Sequence, residues 1–205
     1  MRRHRGRRAG RGEATRAEAS RLRAADDRIP AMAALPSTPL PGDGGFAIRA
    51  ATPADVAAIV RLIHGLAEFE KLTHLVRVTP ESLAPHLFGA RPVAEALVAE
   101  HAGRVVAFAL FFTNFSTFLA QPGLYLEDLF VEPDERGRGI GQALLEHLAR
   151  LAASRGCGRF EWSVLDWNEG AIRFYQRMGA TVMPDWRICR IAGPALAAFA
   201  EPASD

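Results

Sequence analysis

The stretch LYLEDLFVEPDERGRGIG, residues 124–141, combines two features that could do chemistry. Its first half is typical of a buried strand, yet it carries two adjacent carboxylates, Glu127 and Asp128. A carboxylate beside a substrate can act as a general base or hold a cation. The second half contains three alternating glycines: Gly137, Gly139 and Gly141. Because a glycine-rich turn between a strand and a helix exposes backbone amides, this segment predicts an anion-binding loop.

Two common nucleotide-binding loops do not fit this segment. No GK[ST] triplet follows the glycines, as a Walker loop would require. The spacing also lacks the third glycine position of the dinucleotide pattern GxGxxG. From these residues alone, glycines that merely end a strand remain an alternative.

Strand alternation makes a prediction about the two acids. Side chains of a regular strand point alternately to opposite faces, so Glu127 shares a face with Tyr125 and Leu129, and Asp128 points the other way. Only one acid would then face a given site. A structural ion pair between Glu127 and an arginine is the alternative to a catalytic role.

Helical and strand patterns supply the scaffold. Capping signals at Thr52-Pro53 and Thr79-Pro80 predict two helices, the second ending near Gly89. Apolar periodicity predicts further helices over 141–156 and 168–179. Strands are predicted at 46–50, 95–100, 104–115, 124–131 and 159–165, with closing strands at 180–183 and 186–192. This order predicts a mixed α/β (α+β) fold and excludes a helical bundle or a β-sandwich.

Composition divides the 205 residues into three parts. Residues 1–31 hold ten arginines and four acids and are predicted to be a disordered arm. The pattern favours a solvated tail over nucleic-acid contact or targeting, and Met32 could begin a shorter chain. Residues 32–45 are rich in proline and glycine and predict a linker, and residues 46–201 predict one domain. No run of apolar residues is long enough for a membrane span, and two cysteines indicate reduced thiols in the cytoplasm.

Two motifs in the predicted domain resemble one family. The run Arg136-Gly137-Arg138-Gly139-Ile140-Gly141 resembles the acetyl-CoA pyrophosphate loop, Q/R-x-x-G-x-G/A, of the GNAT superfamily of N-acetyltransferases. The later run from Asn168 through Phe174-Tyr175 to Gly179-Ala180 resembles its second signature. The elements LYLEDLFV, GLAEFEKL, VLDWN and FYQRMGA resemble the spermidine/spermine (diamine) branch, and within it the members that acetylate thialysine. The resemblance is nearly continuous from Phe46 to Phe199.

The resemblance implies a fold and an activity. The GNAT fold has a central, twisted, mostly antiparallel sheet flanked by helices. The activity is transfer of the acetyl group of acetyl-CoA, with no metal, to a small primary amine by direct attack. The branch forms homodimers with acceptor sites near the subunit boundary, so a cytoplasmic homodimer is expected.

The resemblance also implies roles for residues of this chain. Glu127 of the YLED element is the expected base, because a primary amine is mostly protonated at neutral pH. Tyr175 is the expected acid toward the leaving thiolate. Asn168 could cap its helix, contact the cofactor, or do both. A strand amide near Leu129 or Phe130 would bind the thioester oxygen. The cofactor contacts expected are Leu129, Phe130, Val131, the loop Arg136, Gly137, Arg138, Gly139, Ile140 and Gly141, and Asn168 with Tyr175.

The acceptor side is expected to involve Glu68, Glu70, Phe118, Glu127 and Asp128. Phe118 could equally be an ordinary core residue. The segment after Glu70, KLTHLVRVT, contains no acid, which favours a short diamine, thialysine or another lysine-like amine over spermine. Two other functions remain open: an acetyl-CoA sensor whose arm contacts nucleic acid, and a protein N-acetyltransferase.

Overall fold

The computed structural model describes residues 40–41 and 45–200, which fall into two compact units. The first unit ends at Ser163 and the second begins at Val164. The predicted arm, residues 1–31, lies outside the described residues, as does most of the predicted linker, residues 32–45. Two residues of that linker, Leu40–Pro41, form a short strand.

A six-stranded sheet organises the first unit. Its strands are β1 Leu40–Pro41, β2 Phe46–Ala50, β3 Glu95–His101, β4 Arg104–Ser116, β5 Gln121–Val131 and β6 Arg159–Trp162. They lie in the order β1-β2-β3-β4-β5-β6, and all neighbours are antiparallel except β5 and β6, which are parallel. The predicted mixed fold with a mostly antiparallel sheet is therefore confirmed. The strand predicted over 159–165 ends earlier, at Trp162.

Three helices accompany this sheet: α1 Val56–Glu70, α2 Pro80–Phe88 and α3 Ile140–Ser154. Both predicted capping signals are confirmed. Asp55 accepts hydrogen bonds from the backbone and side chain of Thr52 at 2.7 and 2.8 Å, in a 3₁₀ turn that precedes α1. Thr79 accepts one from the Ser82 amide at 3.2 Å at the start of α2. Within the described residues, none of the helices has the length and apolar character to cross a bilayer.

The helices pack on opposite faces of the sheet. Helices α1 and α2 share a buried cluster with Val98, Phe108 and Phe130. Gly65 permits this close approach, since a Cβ there would lie 2.9 Å from Cε1 of the Phe130 ring. Helix α3 packs on the other face of the sheet. It contacts side chains of residues that alternate along the strands with those of the buried cluster, including fully buried Ala107. The strand β5 is thus held between two helical layers.

The second unit, residues 164–200, contains α4 Glu169–Arg177, α5 Pro194–Ala197 and a 3₁₀ turn at Ala198–Ala200. The predicted closing strands at 180–183 and 186–192 are wrong, since no strand is assigned anywhere in residues 164–200. Residues 181–192 are exposed throughout. A strand is stabilised by pairing with a neighbouring backbone, and sequence alternation alone does not supply that pairing.

Candidate functional site

The glycine loop joins the end of β5 to the first turn of α3. A 3₁₀ turn at Pro133–Glu135 precedes it. Gly137 and Gly139 have φ of +80° and +82°, in the left-handed region that favours glycine, and a Cβ on either would point into open space. Gly139 is the N-cap of α3, and no side chain caps that helix. The first amides of α3 are therefore available to an anion, which the positive end of the helix dipole would also attract.

Gly141 has a different role from Gly139. A Cβ at Gly141 would meet the side chains of Val131 and Leu129 at 3.8 and 3.9 Å, which are ordinary contact distances. Its neighbour Ile140 is 1% exposed. A Cβ at Gly141 would therefore face β5, unlike one at Gly137 or Gly139. Gly141 serves the packing of α3 on the sheet.

Arg136 anchors the loop to the rest of the unit. Its Nε donates a hydrogen bond of 3.1 Å to the carbonyl oxygen of Val131. Its guanidinium carbon lies 5.1 Å from the ring centre of Phe69 and 5.5 Å from that of Phe130. These are cation–π distances. Arg136 thus ties the first residue of the loop to β5 and to α1.

Two carboxylates that the sequence analysis did not single out surround this loop. Glu132 forms ion pairs with Arg61 of α1 and Arg104 of β4. Glu135, which is 9% exposed, lies between the loop and the β3–β4 hairpin. The i, i+3 spacing of Glu135 and Arg138 was the one signal in the sequence that could have revealed this cluster.

A bulge in β5 corrects the prediction about the two acids. Leu126 pairs with Phe111 and Asp128 pairs with Leu110, so Glu127 is an extra residue between two consecutive pairs. An extra residue shifts the alternation of every side chain that follows it. Asp128 therefore shares a face with Tyr125, while Leu129 lies on the opposite face toward α3. The predicted grouping of Glu127 with Tyr125 and Leu129 is wrong.

The parallel pairing of β5 with β6 ends just before the bulge at Glu127. Its last pair is Leu126 with Trp162, where β6 ends. Strand β5 continues from Glu127 to Val131, and along this stretch β4 is its sole strand partner among the described residues. Backbone groups of an antiparallel strand point alternately to its two sides, and the bond from the Glu132 amide to the Val106 carbonyl turns the Phe130 backbone toward β4. Leu129 and Val131 point to the free edge, where the Val131 carbonyl accepts from Arg136. The backbone groups of Leu129 are therefore open to hydrogen bonding by a ligand.

Asp128 has the most perturbed carboxyl of this region. It is half-buried, and burial together with the charges of Glu127 and Glu70 raises the pKa of Asp128 to about 6. Burial also raises the pKa of Glu70, the last residue of α1. Glu127 is exposed at the bulge. Three carboxylates so placed favour a cation, because its charge offsets their mutual repulsion.

The side chains of Glu68 and Glu70 have different surroundings. Residues two apart on a helix point to different sides. Glu68 is exposed and lines a cavity of about 680 Å³ with Arg61, Arg104 and Glu132, whereas Glu70 interacts electrostatically with Asp128. The structure thus associates Glu70, and not Glu68, with the carboxylates of β5.

Phe118 lies in the turn between β4 and β5 and is 97% exposed. That exposure excludes the alternative that Phe118 is an ordinary core residue. Its proposed contact with an acceptor stays a prediction. The neighbouring Phe115 is also exposed, so this turn presents aromatic side chains at the end of the hairpin.

Asn168 and Tyr175 belong to the second unit. The Asn168 side chain accepts a hydrogen bond from the Ala171 amide at 3.2 Å, which confirms its predicted capping role. Tyr175 is half-buried on α4, with its ring centre 5.4 Å from that of Phe174. The cofactor contact of Asn168 and the acid role of Tyr175 stay predictions.

The histidines do not form a metal site in the described part of the chain. No group of three or more histidine, cysteine, aspartate or glutamate side chains suited to a metal ion occurs there. His64 is exposed on α1. His147 is buried on α3, and burial lowers its pKa.

Comparisons with known proteins agree with this geometry. Residues 63–180 match the family described as Acetyltransferase (GNAT) family. The chain is 37% identical to L-ornithine N5-acetyltransferase of Arabidopsis thaliana, over 80% of this chain and 92% of that protein. It is 38% identical to thialysine N-epsilon-acetyltransferase of Mus musculus, over 73% and 94%. Among solved structures, an integron cassette protein of V. cholerae has a TM-score of 0.65 and 25% identity, covering 77% of this chain and 99% of that one.

Proposed function

The chain belongs to the GNAT family of acetyltransferases, whose members use acetyl-CoA as co-substrate, and we propose that it acetylates a primary amine of a small cationic acceptor. The observation that carries the proposal is the point where β5 loses its partner β6. There the bulged Glu127 and the half-buried Asp128 adjoin a strand edge open to a ligand. The same strand leads into the glycine loop at the start of α3.

The proposed reaction is direct transfer. Glu127 takes a proton from the acceptor ammonium, and the free amine attacks the thioester carbonyl. The new C–N bond forms as the C–S bond breaks. The carbonyl oxygen receives a hydrogen bond from the Leu129 amide, which points to the free edge of β5. The thiolate leaves with a proton from the Tyr175 hydroxyl. The tyrosinate recovers the proton that the nitrogen loses as the amide forms, and the proton held by Glu127 is released to solvent.

The loop residues have a separate task in this proposal. The amides of Gly139, Ile140 and Gly141 bind the pyrophosphate of acetyl-CoA at the positive end of α3. The open space where a Cβ of Gly137 or Gly139 would lie supports the close approach of a phosphate. Residues of the chain thus bind the donor at one end of β5 and activate the acceptor near its middle.

Mutation of Gly139 tests the loop. Gly139→Val should weaken acetyl-CoA binding by at least about tenfold, since a side chain at a φ of +82° is strained and would occupy the anion position. Isothermal titration calorimetry with acetyl-CoA measures the affinity. Gly141→Ala is the matched control, because its Cβ meets only ordinary contacts, and it should bind acetyl-CoA within a few-fold of wild type. Unchanged affinity in Gly139→Val would contradict the loop assignment.

Charge favours a cationic acceptor with one distal charge. Glu70 and Asp128 both have a raised pKa, so a nearby cation would stabilise the ionised form of each carboxylate. The relatives named for ornithine and thialysine, at 37% and 38% identity, support an acceptor of this size. We therefore propose a diamine, ornithine, thialysine or another lysine-like amine ahead of a long polyamine.

Glu70 and Glu68 provide a matched pair for this idea. Glu70→Gln should raise KM for a diamine about fivefold, equivalent to roughly 1 kcal/mol, and leave KM for acetyl-CoA unchanged. Glu68→Gln should have a smaller effect, since it is Glu70, and not Glu68, that interacts with Asp128. Steady-state kinetics on both variants measures the difference. Equal effects of the two substitutions would remove Glu70 from the acceptor site.

A panel of acceptors tests the reaction itself. We expect acetyl-CoA to be consumed with ornithine, thialysine or a diamine, with mass spectrometry showing one added acetyl group. Turnover on protein N-termini alone would favour a protein N-acetyltransferase. Binding of acetyl-CoA without turnover on any amine would favour a sensor. We also propose a cytoplasmic homodimer, as in the branch that the chain resembles, and light scattering on the purified protein measures its mass.

A further inference from the structure

Glu135 occupies an unexpected position for an acid beside a phosphate-binding loop. It is the residue immediately before Arg136, where the loop begins, and its side chain is 11% exposed. An uncompensated carboxylate here would repel a pyrophosphate and would be costly to bury. Its surroundings explain how it is tolerated.

Three basic groups surround this carboxylate. His101 Nδ1 at the end of β3 lies 2.9 Å from Glu135 Oε2, and Arg138 Nε of the loop lies 3.1 Å from the same oxygen. Arg104 Nη2 at the start of β4 lies 3.6 Å from Oε1. Glu135 therefore connects the loop to the β3–β4 hairpin of the sheet.

The contact with Arg138 is specific to the loop. Among the described residues, Glu135 is the only carboxylate that pairs with Arg138. No aligned hydrogen-bond donor reaches the buried Oε2 atom within the described part of the chain. Charge, rather than a directed hydrogen bond, therefore holds Arg138 in place. The flanking glycines at 137 and 139 have the conformational freedom that such an anchor would restrict.

We propose that Glu135 is a positioning residue for donor binding: it fixes Arg138, and with it the loop amides, in the geometry that receives the pyrophosphate. Fixing a loop before binding lowers the entropy lost when the ligand binds. The inference rests on the proposed use of the loop for acetyl-CoA. Glu135 itself contacts neither the acceptor nor the reacting atoms in this scheme.

The test compares two acetyl donors on the Glu135→Gln variant. KM for acetyl-CoA should rise about tenfold, with kcat and KM for the amine unchanged. S-acetylpantetheine lacks the pyrophosphate, so its kcat/KM should be the same in the variant and in wild type. Hydrogen exchange of the loop amides 136–140 should be faster in the free variant. Equal losses with both donors, or tighter binding of acetyl-CoA, would overturn the inference.

Two further variants separate positioning from general destabilisation. Glu132→Gln is the matched control, since Glu132 lies in the same segment and shares Arg104 with Glu135 but does not pair with Arg138 of the loop. It should leave loop exchange and KM for acetyl-CoA unchanged, whatever it does to Tm. Arg138→Gln changes an exposed side chain and should reproduce the donor-specific effect. In the double variant, KM for acetyl-CoA should be no higher than in Arg138→Gln alone. Additive increases in this KM would overturn the pairing.

The failure of this inference can be told apart from failure of the proposed function. If Gly139→Val weakens acetyl-CoA binding and Glu135→Gln does not, only the positioning role is wrong. If wild type shows no preference for acetyl-CoA over S-acetylpantetheine, the pyrophosphate site is wrong, and the positioning role falls with it.

Discussion

Glutamine in place of Glu127 should lower kcat by about 10²–10⁴-fold, the usual effect of removing a general base. The amide keeps the shape of the side chain but cannot take a proton from an ammonium group. Because Glu127 is the extra residue of the bulge and is exposed, the substitution should leave the fold and acetyl-CoA affinity intact. Single-turnover acetylation of a diamine measures the chemical step, and calorimetry with acetyl-CoA measures the unchanged affinity.

Asp128→Asn is the companion variant, and its pH profile separates the two acids. The pKa of Asp128 is about 6, so its negative charge is lost as the pH falls through 6. In wild type, kcat/KM for the amine should therefore decrease below about pH 6, as the cationic acceptor loses an attractive charge. Asp128→Asn should lack this limb and raise KM for the amine. Asp128 would instead be the base if Asp128→Asn lowered kcat by about 10²–10⁴-fold while Glu127→Gln kept a kcat near that of wild type.

Phenylalanine in place of Tyr175 should also slow acetyl transfer strongly, by about 10²-fold or more. The variant loses the hydroxyl that we propose protonates the leaving thiolate. The defect should shrink with an acetyl thioester of a more acidic thiol, because such a leaving group needs less help from a proton. Rapid-mixing kinetics with the two donors measures this dependence.

Tyr125→Phe is the natural control, since the chain contains two tyrosines. The Tyr125 hydroxyl lies 2.8 Å from Ser163 Oγ, so its removal costs one hydrogen bond within the first unit. Its rates with both thioesters should stay within a few-fold of wild type. If Tyr175→Phe loses the same factor with either leaving group, Tyr175 does not act as the acid.

Structural features that depend on residues close together in the chain could be predicted from the sequence. Thr52 and Thr79 mark the starts of two helical segments because caps act within three residues. The glycines after β5 predict the strand-to-helix junction that the structure contains. The divergence of Glu68 and Glu70 could have been predicted too, since it follows from helical periodicity.

Long-range features were not readable from the sequence. Alternation assigned Glu127 to a face, but a bulge depends on the register between β4 and β5, which no residue of either strand encodes locally. The ion pair between Arg61 and Glu132 joins residues 71 positions apart. Predicted strands after residue 180 failed for a similar reason, because strand formation requires a partner that the segment itself does not specify.

The bulge accommodates one residue of chain that the sheet does not need for its pairing. Substitution of Glu127 leaves the chain length and the register of β5 unchanged. Deletion of Glu127 would remove the bulge and leave Asp128 opposite Leu110, so the residues that follow would keep their present faces of the sheet. The Phe130 ring would stay opposite Phe108 in the cluster beneath α1. Between Leu126 and Asp128, the sheet should therefore tolerate a one-residue deletion, whereas acetyl transfer should not, because the proposed base is lost with the bulge.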